Sequence, residues 1–234
     1  MNGTKLAYRR LGLRSGPPVV LLHGLASSGA TWRSFALALA AARLPVIAPD
    51  LRGHGASGHR DNYTFEDFEL DVESLLEYLG VGRFDLVGHS LGGRIATMVA
   101  QRWPDRVGKL VLEETRPPLR AAPAAIADPR IALGRLSLEW GMVTRWWSFD
   151  RRMIGSLARQ FRAPDSDWWS SLSSITAPTL VVHGGAGSFV PFGRLQQAMA
   201  LIPDCSLVTI EAGHRVHSTR AAEFQAAVFP FLHR

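Results

Sequence analysis

FDLVGHSLGGRIATMVAQRW, residues 84–103, carries the reading of the whole chain. Phe84–Val87 is an apolar run without alternation, the pattern of a strand buried on both faces. Leu91–Trp103 has the spacing of a helix packed on one side. Between them stands GHSLGG at 88–93, a G-x-S-x-G turn. A strand that passes abruptly into a helix forces its central residue into a strained backbone and lifts that side chain clear of the sheet. Gly88 and Gly92 are expected because a Cβ at either would strike neighbouring chain, and Gly93 because the helix must lie close to the sheet. Ser90 then stands at a helix N-terminus, where backbone N–H groups favour a developing negative charge. Ser90 is the candidate nucleophile.

Outward from this segment the same rhythm recurs. Apolar, β-branched runs at 18–22, 46–49, 109–112, 179–182 and 207–210 predict further buried strands. Helical patterns at 34–42, 64–79, 192–201 and 221–232 fall between or after them. Strand–helix alternation predicts a doubly wound, mostly parallel α/β sheet with right-handed crossovers. Residues 4–11 predict an antiparallel strand or hairpin at its edge. The rhythm breaks from about Pro117 to Ser174, where no buried strand pattern occurs and five of the seven tryptophans fall: Trp140, Trp146, Trp147, Trp168 and Trp169. The expected organisation is a core of residues 1–116 and 175–234 with a helical cap over 117–174, positioned where ligands of such sheets bind. Most of these tryptophans are read as packing, with Trp146 or Trp147 as candidates for lining a pocket.

The 234 residues suit one domain with a sizeable core, and 47% apolar with 20% charged residues excludes disorder. No apolar run reaches membrane-spanning length, and the N-terminus MNGTKLAYRRLG lacks the form of a secretion signal. Cys205 is the only cysteine, which excludes an internal disulfide and disfavours a thiolate metal site; a reducing cytoplasm is the expected location. The net charge of +6 comes almost wholly from arginine, scattered without a block, so no nucleic-acid partner and no membrane partner is expected.

Two further motifs complete a candidate site. LHGL at 22–25 ends the strand over 18–22. The backbone N–H of Leu25, with that of Leu91 after the nucleophile, is the expected oxyanion hole. His23 is read as a brace for this loop, and Gly24 as room for substrate. EAGHRVH at 211–217 follows the last strand. His214, after the tight turn at Gly213, is the candidate base for Ser90; His217 is its one credible rival among the eight histidines.

Taken together, LHGL, PDLRGHGASG at 49–58, GHSLGG, APTLVVHGG at 177–185 and AGHRVH at 212–217 resemble the α/β-hydrolase superfamily over essentially the whole chain. The resemblance implies hydrolysis of an ester, thioester, lactone, amide or carbon–carbon bond through an acyl-serine, with Asp50, Arg52 and Gly53 structural. It also exposes a departure. The family's usual acid belongs in a pattern like HGxxDxxxP, and this chain has HGGAGSFVP at 183–191, with Gly187 at the acid position. LEETRP at 112–117 resembles the pattern of certain haloalkane dehalogenases, which carry their acid there; the serine nucleophile argues against dehalogenation itself. Adjacent residues leave a strand on opposite sides, so one of Glu113 and Glu114 should face His214. Glu113 is the preferred acid, with Glu114 as the alternative.

The expected function is a serine hydrolase of a carboxylic ester or lactone, needing no metal or organic cofactor and taking a small, apolar or aromatic substrate. The alternatives are a thioesterase or carbon–carbon hydrolase, and a ligand-binding protein of the same fold with little turnover.

Overall fold

The computed structural model describes residues 3–12, 16–121 and 149–233. Seven strands form one sheet in the order β1-β3-β2-β4-β5-β6-β7. β1 (Tyr8–Leu11) runs antiparallel to β3 at one edge. The remaining strands are parallel: β2 (Val19–Leu22), β3 (Val46–Pro49), β4 (Phe84–His89), β5 (Val107–Glu113), β6 (Thr179–His183) and β7 (Cys205–Thr209). The predicted doubly wound sheet is thus present, edge strand included.

Helices cover both faces because strands β2 to β6 present apolar side chains on both. On one face α1 (Arg33–Ala41) and α8 (Ala221–His233) pack Trp32, Phe35, Leu39, Phe224 and Val228 against Val19, Val87, Val111 and Val182. On the other, α2 (Phe65–Tyr78) and α3 (Leu91–Arg102) pack Phe68, Val72, Ile95 and Val99 against Val20, Leu86 and Leu110. Thr64 and Asp67 form a reciprocal capping box that starts α2 at the expected place. β7 departs from the expectation of strands buried on both faces: its pattern is largely exposed, because it closes the open edge with no strand beyond it.

Between β5 and β6 the described residues form α4 (Arg152–Arg162), α5 (Ser166–Ser170) and the 3-10 turn Ser171–Ser174; α6 (Phe192–Met199) precedes β7 and α7 (Val216–Thr219) follows it. Trp168 and Trp169 anchor this segment to the core. The Arg94 guanidinium lies over the Trp168 ring, Gln101 donates to the Trp168 carbonyl at 2.7 Å, and Trp169 Nε1 donates to the Pro118 carbonyl at 3.2 Å. They have the packing role expected of most tryptophans in this stretch. Trp140, Trp146 and Trp147 lie outside the described residues. No helix among the described residues is long and apolar enough to cross a membrane.

Candidate active site

Ser90 ends β4 and caps α3 with φ 52° and ψ −111°. Neighbouring chain permits this only because two glycines flank it. A Cβ on Gly88 would lie 2.4 Å from the Gly92 carbonyl oxygen, and one on Gly92 would lie 2.2 Å from that of Leu22. The Ser90 amide is held by the Glu113 carbonyl at 2.9 Å, which ties the elbow to the end of β5. Four non-glycine described residues have positive φ, and three of them mark this site: Ala26, Ser90 and Glu114. Strain of that kind persists where surrounding structure over-determines it.

The loop after β2 is pinned from several sides. His23 is fully buried, and burial, reinforced by His54, holds its ring well below the ordinary range and therefore neutral. Its Nδ1 donates to the Gly24 carbonyl at 2.7 Å, and its Nε2 accepts from the Leu51 amide at 3.0 Å. That is the bracing role expected of it. His54 was not singled out by sequence, yet it does the same work: Nδ1 donates to the Arg52 carbonyl and Nε2 accepts from the Ala26 amide at 3.1 Å. Burial lowers the His54 ring to about 4. Asp50 Oδ1 takes the Gly29 amide at 2.8 Å, and Arg52 is locked to Asp71 by two bonds of 2.6 and 2.8 Å, so the PDLRGHG segment is structural. Leu25 lies within this braced loop. Leu91 is the first residue of α3, where an amide has no partner inside its own helix. Gly24 departs from its expected role of leaving room for substrate: a Cβ there would lie 2.7 Å from His89 Nδ1 and 3.3 Å from Ser90 Cβ, so its smallness lets the loop approach the elbow.

His214 follows β7 on a turn at Gly213. The amides of Ala212 and Gly213 both donate to the Gly184 carbonyl, and His89 Nε2 donates to the His214 carbonyl at 2.7 Å. Burial holds His89 neutral, at about 3, and a carbonyl only accepts, so the His89 proton sits on Nε2. Phe189 lies against the His214 ring, tilted by 34°, at 3.9 Å between centroids. Through His89, adjacent to Ser90, the base loop and the elbow are fastened to each other.

The expected acid requires a correction. Glu113 does not face His214. Its Oε2 lies 2.7 Å from Nδ1 of His217, and its Oε1 takes the His217 amide at 2.9 Å. His217 in turn meets Thr31 Oγ1 through Nε2 at 2.8 Å and lies against the Trp32 ring at 4.1 Å. The strand period explains this. Glu113 shares its face with Val111, toward the α1 and α8 layer where His217 is buried. Burial alone would raise Glu113, but its electrostatic interaction and hydrogen bonds with His217 hold it below the usual carboxylate range.

Glu114 takes the expected place. β5 ends at Glu113, and Glu114 adopts φ 48°, which turns it out of the sheet's alternation toward the loops after β6 and β7. Its Oε2 lies 3.3 Å from His214 Nδ1 and accepts from Ser188 Oγ at 2.7 Å. Its Oε1 accepts from the Gly184 amide at 2.6 Å. The side chain is wholly buried while that of His214 is 16% exposed. Ser188 and Gly184 come from HGGAGSFVP, so the loop that lacks the family's carboxylate instead supplies donors to one brought from β5.

A carboxylate accepts only, so the His214 proton engaged by Glu114 resides on Nδ1 and Nε2 presents a lone pair. The ligand atoms of His89, Glu113 and His217 lie within 4.8 Å of one another. Their shortest contacts are the hydrogen bonds already given, and a satisfied polar network accounts for the cluster.

The family model described as alpha/beta hydrolase fold matches residues 17–148. The chain is 28% identical over 248 aligned residues to sn-1-specific diacylglycerol lipase ABHD11 of Mus musculus, covering 92% of this chain and 81% of that protein. It is 29% identical to a non-heme chloroperoxidase of Streptomyces lividans, covering 82% of each. Among solved structures, a hydrolase from Pseudomonas aeruginosa PA01 superimposes with a TM-score of 0.79 at 29% identity, over 99% of this chain and 95% of that one.

Proposed function

On the premise that this chain belongs to the α/β hydrolase fold family, we propose that it is a serine hydrolase of carboxylic esters or lactones, with Ser90 as nucleophile, His214 as base and Glu114 as the acid that orients the base. The observation carrying this reading is the contact of Glu114 Oε2 with His214 Nδ1, made by a fully buried carboxylate whose other bonds fix it in place.

Ser90 Oγ attacks the carbonyl carbon while His214 Nε2 takes the hydroxyl proton. The carbonyl oxygen becomes an oxyanion facing the amides of Leu25 and Leu91, each such donor lowering the barrier by roughly 3 kcal/mol. The imidazolium is stabilised by Glu114. Collapse of the intermediate breaks the bond to the alcohol, which leaves with the proton from His214. Water then attacks the acyl-serine, His214 taking its proton, and the acid departs as Ser90 is restored. The residues supply every proton transfer, so the scheme calls on no cofactor. We further propose that 117–174 act as a cap over this centre and that the acyl group is apolar or aromatic.

The relatives include a named lipase and a named chloroperoxidase, so the ester preference is tested directly. A fluorophosphonate probe should add to one residue, Ser90 by peptide mapping, and Ser90→Ala should abolish both labelling and ester turnover. Absence of labelling in the folded wild type contradicts the proposal. A panel of aryl esters, lactones and acyl thioesters ranks the leaving groups. A glycine at the family's usual acid position, Gly187, would favour the alternative of a binding protein with little turnover, and a buried carboxylate beside His214 weighs against it.

A further inference from the structure

The two buried arginines among the described residues, Arg52 and Arg94, are both paired. Arg52 meets Asp71 and Asp67, and Arg94 meets Asp165. Arg116 differs. It lies two residues beyond Glu114 at the carboxyl end of β5, half-buried, with an Nε shielded from solvent and without a hydrogen-bond partner. No carboxylate pairs with it among the described residues. Among the described residues, the charged groups that bear on it carry the same sign. Arg194, whose Nη1 reaches the Pro117 carbonyl at 3.4 Å, and Arg162 at the end of α4 both repel it, adding to burial in lowering its proton affinity. A guanidinium remains charged at neutral pH despite such pressure.

An unpaired, partly desolvated cation is costly, and gathering others of its sign adds to the cost. Surface dispersal would have been easier. The arrangement becomes favourable when an anion enters, because a guanidinium offers a planar fork that matches a carboxylate or phosphate. Its location supplies the rest. The carboxyl ends of parallel strands are where ligands of such sheets bind, and Glu114, two residues before Arg116, touches His214.

We infer that Arg116, with Arg194 beside it, forms an anion subsite next to the catalytic residues, so that the substrate is an ester or lactone bearing a second, carboxylate-type group. The inference rests on the hydrolase reading for the reaction but on the arginines alone for the anion. An apolar acyl chain remains compatible, as the body between the scissile bond and the charge.

The test compares matched esters with and without the anion. Mono-4-nitrophenyl glutarate against 4-nitrophenyl pentanoate places the charge on the acyl side, and 4-acetoxybenzoate against phenyl acetate places it on the alcohol side. In at least one pair the wild type should favour the anionic member. The ratio of kcat/KM, anionic over neutral, should fall at least tenfold in Arg116→Gln and less in Arg116→Lys, which keeps the charge but loses the fork. Arg194→Gln should lower the same ratio severalfold and serves if Arg116→Gln does not fold. Ratios unchanged in the variants would overturn the inference. Should the wild type hydrolyse none of these esters, the hydrolase reading fails separately, and titration calorimetry with glutarate reads the subsite: binding weakened at least tenfold by Arg116→Gln supports it, and absent or unaltered binding overturns it.

Discussion

Glu114 Oε2 lies 3.3 Å from His214 Nδ1, although the residue beside it, Glu113, points the other way and takes His217 at 2.7 Å. Two consecutive carboxylates thus hold two histidines of the segment that follows β7, His214 in the loop and His217 in the short helix Val216–Thr219, three positions apart. The two pairs have different surroundings. His214 is partly exposed; Glu113 and His217 are sealed in the layer of α1 and α8. In the proposed mechanism the first pair exchanges protons with a substrate, while the second holds the segment that carries His214.

That difference predicts the effect of Glu113→Gln. Leaving a buried imidazole without its anion costs about 3 kcal/mol. The variant should unfold at markedly lower urea concentration, while molecules that remain folded keep turnover within about tenfold of the wild type. Equilibrium unfolding and the rate per folded molecule check both halves.

Ser188→Ala removes the hydroxyl that donates to Glu114 Oε2 at 2.7 Å. A hydrogen bond to a charged group contributes about 1.5–3 kcal/mol. With the Gly184 amide still in place, kcat should fall on the order of tenfold, with KM little changed, since the bond orients the acid rather than the substrate. A change confined to KM would argue that Ser188 meets the substrate.

Gly184→Ala should be far more damaging. A Cβ there would lie 1.9 Å from the Gly213 carbonyl oxygen and 3.1 Å from Glu114 Oε1. The clash separates the loop after β6 from the loop carrying His214, so both stability and ester turnover should drop. The residual activity of any folded protein reports how far His214 has moved.

Acid should destabilise the fold before its carboxylates titrate. Burial keeps His23, His54 and His89 neutral, with His54 near 4 and His89 near 3. In the unfolded chain these rings take up protons around 6.5, so below that pH the unfolded state binds more protons and stability falls. Each ring contributes up to about 1.4 kcal/mol per pH unit until it protonates in the fold. Glu113, held below the usual range, adds loss only at lower pH and in the same direction. Urea midpoints measured between pH 7.5 and 5 should therefore decline, and the decline should be shallower in His54→Gln. A flat profile would mean that these rings are already accessible in the folded state.

Much of this was legible in the sequence. Apolar runs without alternation located β2 to β6 to within two residues at each end, and GHSLGG fixed the turn after β4 because only its glycines fit there. The exposure of β7 was not legible, since an apolar run does not say whether another strand lies beyond it. The carboxylate that meets His214 was legible as a pair and not as a residue. Period-two alternation implies that Glu113 and Glu114 diverge, and it puts Glu113 with Val111; it cannot say which face carries the base. That depends on a left-handed backbone at Glu114, and glutamate gives no signal for one. His54 was passed over for a related reason, because a loop histidine reveals nothing of the amide it accepts from until the loop is folded.

The most direct measurement is kcat on one activated ester for Glu114→Gln beside Glu113→Gln, each per folded molecule. Glu114→Gln should lose about three to four powers of ten, the usual consequence of an imidazole left in the wrong tautomer, against the modest change expected of its neighbour. If the larger loss falls on Glu113→Gln, or if Glu114→Gln turns over as fast as the wild type, the assignment of Glu114 to His214 is wrong.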